Sequence, residues 1–338
     1  MMMARRFRRP TADLPQTNPA ANPAVAAALP PDPPPVVTIP VMPIHPSQRR
    51  AELALVGVTF VWGATFVVVK GALQDSSTLL FLALRFSLAT IALAAAFRPR
   101  PSGFDKTKPI LAGGGILAGV LLFGGYLLQT LGLRSTTPSK SAFITGLCVV
   151  MVPVFSAILA RRLPSSAVAV GVATATAGMA LLTLRGPNLR MDVGDLLTLG
   201  GAAAFSLHIM VLGRLAPRLG FRTLALAQIS TAAVLSLSTF WWVERPTVRW
   251  TPGLIAAVVV TGLLATAVAF SVQSWAQQYT TPTRTALIFA MEPVFAWITS
   301  FVVAGELLAP RAALGAILIL AGILLVELKP WAAGDEQL

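Results

Sequence analysis

Tyr126-Leu127-Leu128-Gln129 leads into Thr136-Thr137-Pro138-Ser139-Lys140, and 144 residues downstream Phe270-Ser271-Val272-Gln273 leads into Thr280-Thr281-Pro282-Thr283-Arg284. The order continues outward from these segments. Val152-Pro153-Val154-Phe155 answers Glu292-Pro293-Val294-Phe295, and Gly171 and Gly178 answer Gly315 and Gly322. Several matches in one order mark an internal duplication, because unrelated apolar stretches have no reason to keep their polar, Pro and Gly punctuation in register. The runs carrying these motifs are near the 20 or so apolar residues needed to cross hydrocarbon. Ten spans are read, at about 53–69, 77–97, 110–133, 141–160, 167–184, 196–213, 223–243, 253–276, 285–305 and 312–326. In lipid each backbone N–H and C=O must find its partner within the segment or its bundle, so spans of this length are helices. Five is odd, so the second copy enters the membrane from the opposite side. The expected fold is therefore an all-α integral membrane protein of ten transmembrane helices arranged as two inverted five-helix repeats.

Composition supports the same class. Of 338 residues, 55% are hydrophobic and only 12% charged, with a mean hydropathy of +0.75. A water-facing domain carries about 25% charged residues, so an ordinary cytosolic globule is excluded. The net charge of +13 comes from Lys and Arg scattered between apolar runs. A nucleic-acid surface would cluster them on one face of a polar domain, so no nucleic-acid partner is expected. The single Cys148 lies inside an apolar run, which removes a disulfide framework and any multi-cysteine metal site.

The chain divides into a tail at 1–50, a first repeat at 51–190, a second at 191–328 and a short C-terminal tail at 329–338. Residues 10–48 hold 12 of the 26 prolines, a composition that offers neither an apolar face nor enough backbone donors, so a disordered tail is expected. Its Arg5-Arg6-Phe7-Arg8-Arg9 run is followed by Pro10, Asp13 and Pro15 rather than the apolar stretch of an export signal. A basic arm against anionic lipid headgroups is the reading adopted. With the N-terminus inside, membrane-proximal inner segments carry 13 Lys and Arg against 8 outside, which favours both termini in the cytoplasm.

Inverted repeats are how secondary transporters expose a midplane site to either side, and the polar residues within the spans are candidates for such a site. Arg85 sits mid-span, where a charge costs at least about 2.5–3.5 kcal/mol, so it faces protein or a water-filled cavity. It either recognises a solute anion or pairs with a carboxylate or helix-end carbonyls; its repeat partner, Gln228, is neutral. Gln129 and Gln273 are repeat mates placed to line a midplane cavity, with Tyr126 and Trp275 close by; interhelical hydrogen bonding is the alternative role for the amides. Trp62 beside Gly63 is a further cavity candidate, with close packing as the alternative. His208, lacking companion ligands for a metal, is a weaker cavity candidate and otherwise a hydrogen-bonded core residue. Desolvation penalises a charged carboxylate, so Glu292 is a candidate to carry a coupling proton, or else to satisfy the backbone around Pro293 or pair with Arg85. Pro153 and Pro293 are read as helix kinks. Lys140 and Arg284, repeat mates beside the Thr-Thr-Pro turns, are read as capping and snorkelling residues, with gating as the alternative. Glu306 is placed near the outer mouth.

Trp62-Gly63, Arg85, the segment 136–147 leading to Pro153, and Glu292-Pro293 followed by Gly305-Glu306 resemble bacterial EamA-type transporters of the drug/metabolite transporter superfamily. The resemblance covers about residues 51–328 and departs in one place, where the first repeat has Arg161-Arg162 and a shorter link in place of Gly305-Glu306. It implies ten helices in two EamA repeats, in the inner membrane, and export of a small polar or amphipathic metabolite, amino acid-like or drug-like, by alternating access. No cofactor or metal is implied. Protons are a possible coupling ion and a homodimer a possible assembly. An integral-membrane enzyme or a channel using the same buried polar residues is the alternative, but two His, one Cys and one mid-span carboxylate supply no catalytic cluster.

Overall fold

The computed structural model describes residues 46–97, 108–136, 138–183, 192–304 and 310–328. Most of the expected N-terminal tail, the C-terminal tail, Gly305, Glu306 and the side chain of Lys140 lie outside the described residues. The first repeat supplies α1 (Pro46–Asp75), α2 (Thr78–Ala96), α3 (Lys108–Ser135), α4 (Pro138–Gly146), α5 (Cys148–Ala160) and α6 (Ser166–Thr183). The second supplies α7 (Val193–Leu219), α8 (Phe221–Val243), α9 (Pro252–Val259), a π-helical segment (Val260–Val268), α10 (Ala269–Ala276), α11 (Pro282–Phe289), α12 (Glu292–Ala304) and α13 (Pro310–Leu328).

Seven helices are long and apolar enough to cross a membrane: Ser47–Asp75, Thr78–Ala96, Gly113–Ser135, Ser141–Ala160, Val193–Leu219, Phe221–Val243 and Pro252–Ala276. Two shorter apolar helical stretches, Ser166–Leu181 and Ala313–Val326, accompany them. The stretch expected to be a continuous span at 285–305 is interrupted at Ala290 and Met291, so neither α11 nor α12 reaches spanning length by itself. Its counterpart in the first repeat is interrupted at Leu147. The two helices that follow the interruptions, α5 and α12, begin and end 144 residues apart, so in the structure Glu292 answers Cys148. The sequence pairing of Val152-Pro153 with Glu292-Pro293, 140 residues apart, is four residues (about one helical turn) out of that register. Leu, Ile and Phe cover large outer faces of these helices, as at Ile91, Ile158, Leu159, Ile317 and Leu324; such surface is tolerated where the surrounding medium is itself apolar.

Between such helices small residues let the backbones approach. In α6 and α13 a Cβ on Gly171 would stand 2.8 Å from the carbonyl oxygen of Gly322, and one on Gly178 would stand 2.6 Å from that of Gly315. The sequence pairs Gly171 with Gly315 and Gly178 with Gly322, so in space each glycine meets the mate of the other. That crossed pattern is what a twofold relation between antiparallel elements produces. On α3, Gly119 and Gly125 press against Gln228 and Phe205, closing this helix onto α8 and α7. Gly114, Gly115, Gly119, Gly125 and Gly132 of the third span therefore form a packing surface, whereas Gly113 and Gly124 meet open space.

Candidate functional site

A cavity of about 80 Å³ lies among α1, α2, α3, α4, α5, α7, α10, α11 and α12. One water needs about 10–15 Å³ of such space, so the cavity holds on the order of six waters or a small solute. Its wall is built from repeat mates. Trp62 and Phe205, Thr65 and His208, and Phe66 and Ile209 stand 143 residues apart in the chain, and all six line it. Tyr126 and Phe270, Gln129 and Gln273, Thr145 and Phe289, and Cys148 and Glu292 stand 144 apart, and all eight line it as well. The local twofold relation therefore passes through this cavity.

Arg85 is buried, 3% exposed, and is held by neutral groups. Its Nε donates to Thr266 Oγ1 at 2.6 Å, and Nη2 donates to Tyr126 Oη at 3.0 Å and to the Ala265 carbonyl at 3.3 Å. The guanidinium carbon lies 4.3 Å from the centre of the Tyr126 ring, within cation–π range. Among the described residues no carboxylate lies within ion-pair distance of Arg85, so the expected alternative of a pair with Glu292 is not found. Two of its acceptors come from the π-helical segment. The wider hydrogen-bond spacing there lets the Thr266 hydroxyl donate to Thr261 O at 2.7 Å and presents Ala265 O to Trp62 Nε1 at 2.9 Å as well as to Arg85.

The two amides behave differently. Gln129 Nε2 donates to Thr145 Oγ1 at 2.8 Å. Gln273 Nε2 donates to Gln277 Oε1 at 3.1 Å, and Gln277 Nε2 donates to Ile209 O at 2.9 Å, but the buried Gln273 Oε1 has no partner among the described residues. An unpaired buried carbonyl costs about 1–3 kcal/mol. Trp62 packs its ring against Phe270 and Phe289, with centroids 5.2 and 5.0 Å away. Glu292 lines the cavity, and its carboxyl has no hydrogen-bond or ion-pair partner among the described residues. His208 Nε2 bonds Gln228 Oε1 at 2.6 Å, and Gln228 Nε2 donates to Ser274 Oγ at 2.9 Å, so the ring faces the cavity from a satisfied network. The amide oxygen only accepts, which makes His208 the donor.

Two expectations change. Trp275 does not line the cavity; it packs against Tyr279 with centroids 5.7 Å apart, because it follows Gln273 by two helical positions and so points to the other side of α10. Pro153 lies inside α5, but Pro293 is the second residue of α12 and opens a helix instead of kinking one. Its missing N–H falls among the four that a helix start leaves unbonded. Thr266, Ala265, Thr145 and Phe205 are site residues that polarity alone did not single out. For Phe205 and Thr145 the available signal was the repeat itself, since their mates are Trp62 and Phe289. Among the described residues no group of three or more His, Cys, Asp or Glu could hold a metal ion.

The EamA-like transporter family model matches residues 49–184 and again 192–328. An uncharacterized transporter of Archaeoglobus fulgidus is 33% identical over 280 residues, covering 82% of this chain and 86% of that protein. The uncharacterized transporter YvbV of Bacillus subtilis is 24% identical over 286 residues, covering 83% of this chain and 93% of that one. A solved protein crystal structure matches the fold with a TM-score of 0.66 at 20% identity, covering 82% of this chain and 98% of that chain. Matched in both halves by one family model, and carrying apolar helices of spanning length, the chain belongs to the EamA-like transporter family and is a multi-pass membrane transporter rather than an enzyme.

Proposed function

We propose that this transporter is a secondary active carrier whose solute is small and amphipathic and docks an anionic group on Arg85. The observation that carries the proposal is the uncompensated guanidinium: a cation buried among a Thr hydroxyl, a Tyr hydroxyl and a backbone carbonyl, with no carboxylate beside it among the described residues, on the wall of a cavity. Placing a charge at membrane depth is costly, and a solute anion offsets that cost when it binds. Trp62, Phe205, Phe270 and Phe289 offer an apolar and aromatic wall, which suits the apolar part of an amphipathic solute. An amino acid-like or drug-like carboxylate fits that set.

In this reading ten helices form two inverted five-helix repeats, at 51–190 and 191–328, flanked by the tails at 1–50 and 329–338. The crossed glycine contacts and the paired cavity wall support the inversion. Both termini lie in the cytoplasm of a bacterial inner membrane, and export proceeds by alternating access. Glu292, at the head of α12 and on the cavity wall, carries the coupling proton.

Reconstituted protein in proteoliposomes tests this. Small carboxylates should show saturable, trans-stimulated counterflow, and Arg85→Gln should remove it while the protein remains monodisperse. Equal transport of carboxylates and neutral amides, unchanged in the Gln variant, would refute the anion site.

A further inference from the structure

Two polar contacts bracket the cavity, and they are repeat mates. At the end of α1 that starts the described chain, Glu52 Oε1 accepts from Arg284 Nη1 at 3.1 Å and from Thr280 Oγ1 at 3.4 Å. At the opposite end, Asp195 Oδ1 accepts from Thr136 Oγ1 at 2.8 Å. Glu52 and Asp195 stand 143 residues apart, the offset of the two family matches, and Thr136 and Thr280 stand 144 apart, as do Lys140 and Arg284. Each contact joins one repeat to the other. A rocking rotation that parts the repeats at one face must therefore break the contact at that face.

Their positions follow from α1. This helix carries Glu52 near its start, then Trp62, Thr65, Phe66 and Val69 on the cavity wall, then Lys70, whose Nζ donates to the carbonyls of Leu133, Arg134 and Thr136. At 1.5 Å per residue, Glu52 and Lys70 are about 27 Å apart. On the Glu52 face, Gln277 links the cavity residues Gln273 and Ile209 toward Thr280. On the other face, the cavity residue Leu133 leads to Thr136. The side chains are buried or nearly so, with Asp195 at 0%, Thr136 at 5%, Arg284 at 8% and Thr280 at 9% exposure. In such surroundings these bonds are screened little by water.

We propose that Glu52–Thr280–Arg284 and Asp195–Thr136 are paired latches, one sealing each face of the cavity, and that the transport cycle opens them in alternation. The inference rests on the carrier reading, yet its test needs no solute. Cys148, the single cysteine of the chain, lines the cavity and reports which face is open. The full-length protein in vesicles of known orientation is treated with a membrane-impermeant thiol reagent from one face, then from the other.

Glu52→Gln and Thr280→Val should speed Cys148 modification about tenfold from the face bearing the start of α1 and leave the other face unchanged, as loss of one charge-assisted bond predicts. Asp195→Asn and Thr136→Val should do the reverse. Asp195 also shares a capping box with Asp192, so Thr136→Val, which leaves that box intact, decides the outcome if the Asn variant fails to fold. Thr280→Val serves the same purpose opposite Glu52. Unchanged labelling in folded Thr variants, or acceleration from both faces at once, overturns the latches. Loss of solute counterflow in Arg85→Gln bears on the binding site alone and leaves this result standing.

Discussion

Arg85 on α2 and Tyr126 on α3 form one unit: the guanidinium lies 4.3 Å from the ring centre and donates through Nη2 to the phenol oxygen at 3.0 Å. Thr266 of the second repeat completes the holder from the π-helical segment, so a cation of the first repeat is aimed by a residue of the other. Positioning of the guanidinium therefore depends on both halves.

If this holder sets the docking geometry, Tyr126→Phe and Thr266→Val should each weaken solute affinity about tenfold, since a hydrogen bond to a charged group contributes about 1.5–3 kcal/mol. The maximal rate should change less than the half-saturation concentration. Counterflow at varied solute concentration separates the two; an unaltered half-saturation value in both variants would show that Arg85 needs neither partner.

Close approach of α1 to α12 depends on Gly63. A Cβ there would stand 2.6 Å from the Glu292 carbonyl oxygen and 2.9 Å from the Ala296 nitrogen, whereas Gly57, on the same helix, has nothing within 4 Å. Overpacking costs about 1–3 kcal/mol, so Gly63→Ala should lower the melting temperature in detergent and Gly57→Ala should not. Equal melting of the two variants would contradict the close contact.

The His208–Gln228–Ser274 chain is buried and satisfied. Gln228→Leu strips both neighbours of a partner at once, a loss of about 1–3 kcal/mol. Adding His208→Phe and Ser274→Ala should recover part of that loss, because no unpaired polar group then remains. Thermal unfolding of the single and triple variants checks the recovery, which must exceed the experimental spread for the network reading to stand.

Glu292→Gln removes the titratable carboxyl from the cavity while keeping its size, which tests the proposed proton coupling. Solute accumulation driven by an imposed pH gradient should vanish, and counterflow, which needs no net proton movement, should persist. Gradient-driven accumulation at the parental level in the Gln variant would assign proton coupling elsewhere.

Much of this was legible in the residue order. The Gln129/Gln273 match placed both amides on one cavity wall, and the mid-span position of Arg85 required a polar enclosure. Periodicity could not show the interruptions at Leu147 and at Ala290–Met291, because a one- or two-residue break leaves an apolar run apolar. Nor could it place Trp275, whose nearness to Gln273 along the chain puts it on a different side of the helix. The π-helical segment Val260–Val268 contains no Pro or charge to announce it, yet it supplies two of the groups that bind Arg85.

The amino-acid order by itself determined the apolar helices, the duplication and the need to house one cation in hydrocarbon. These follow from local hydropathy and from correspondence along the chain, neither of which requires a contact. Tertiary structure alone decided that, among the described residues, Arg85 meets no carboxylate and Gln273 keeps an unpaired oxygen, and that Glu52 and Asp195 each bridge the two repeats. Those are relations between residues on separate helices. Their distances depend on how closely the glycine faces let the helices approach and on the rotation at which each helix packs, quantities that no single segment specifies.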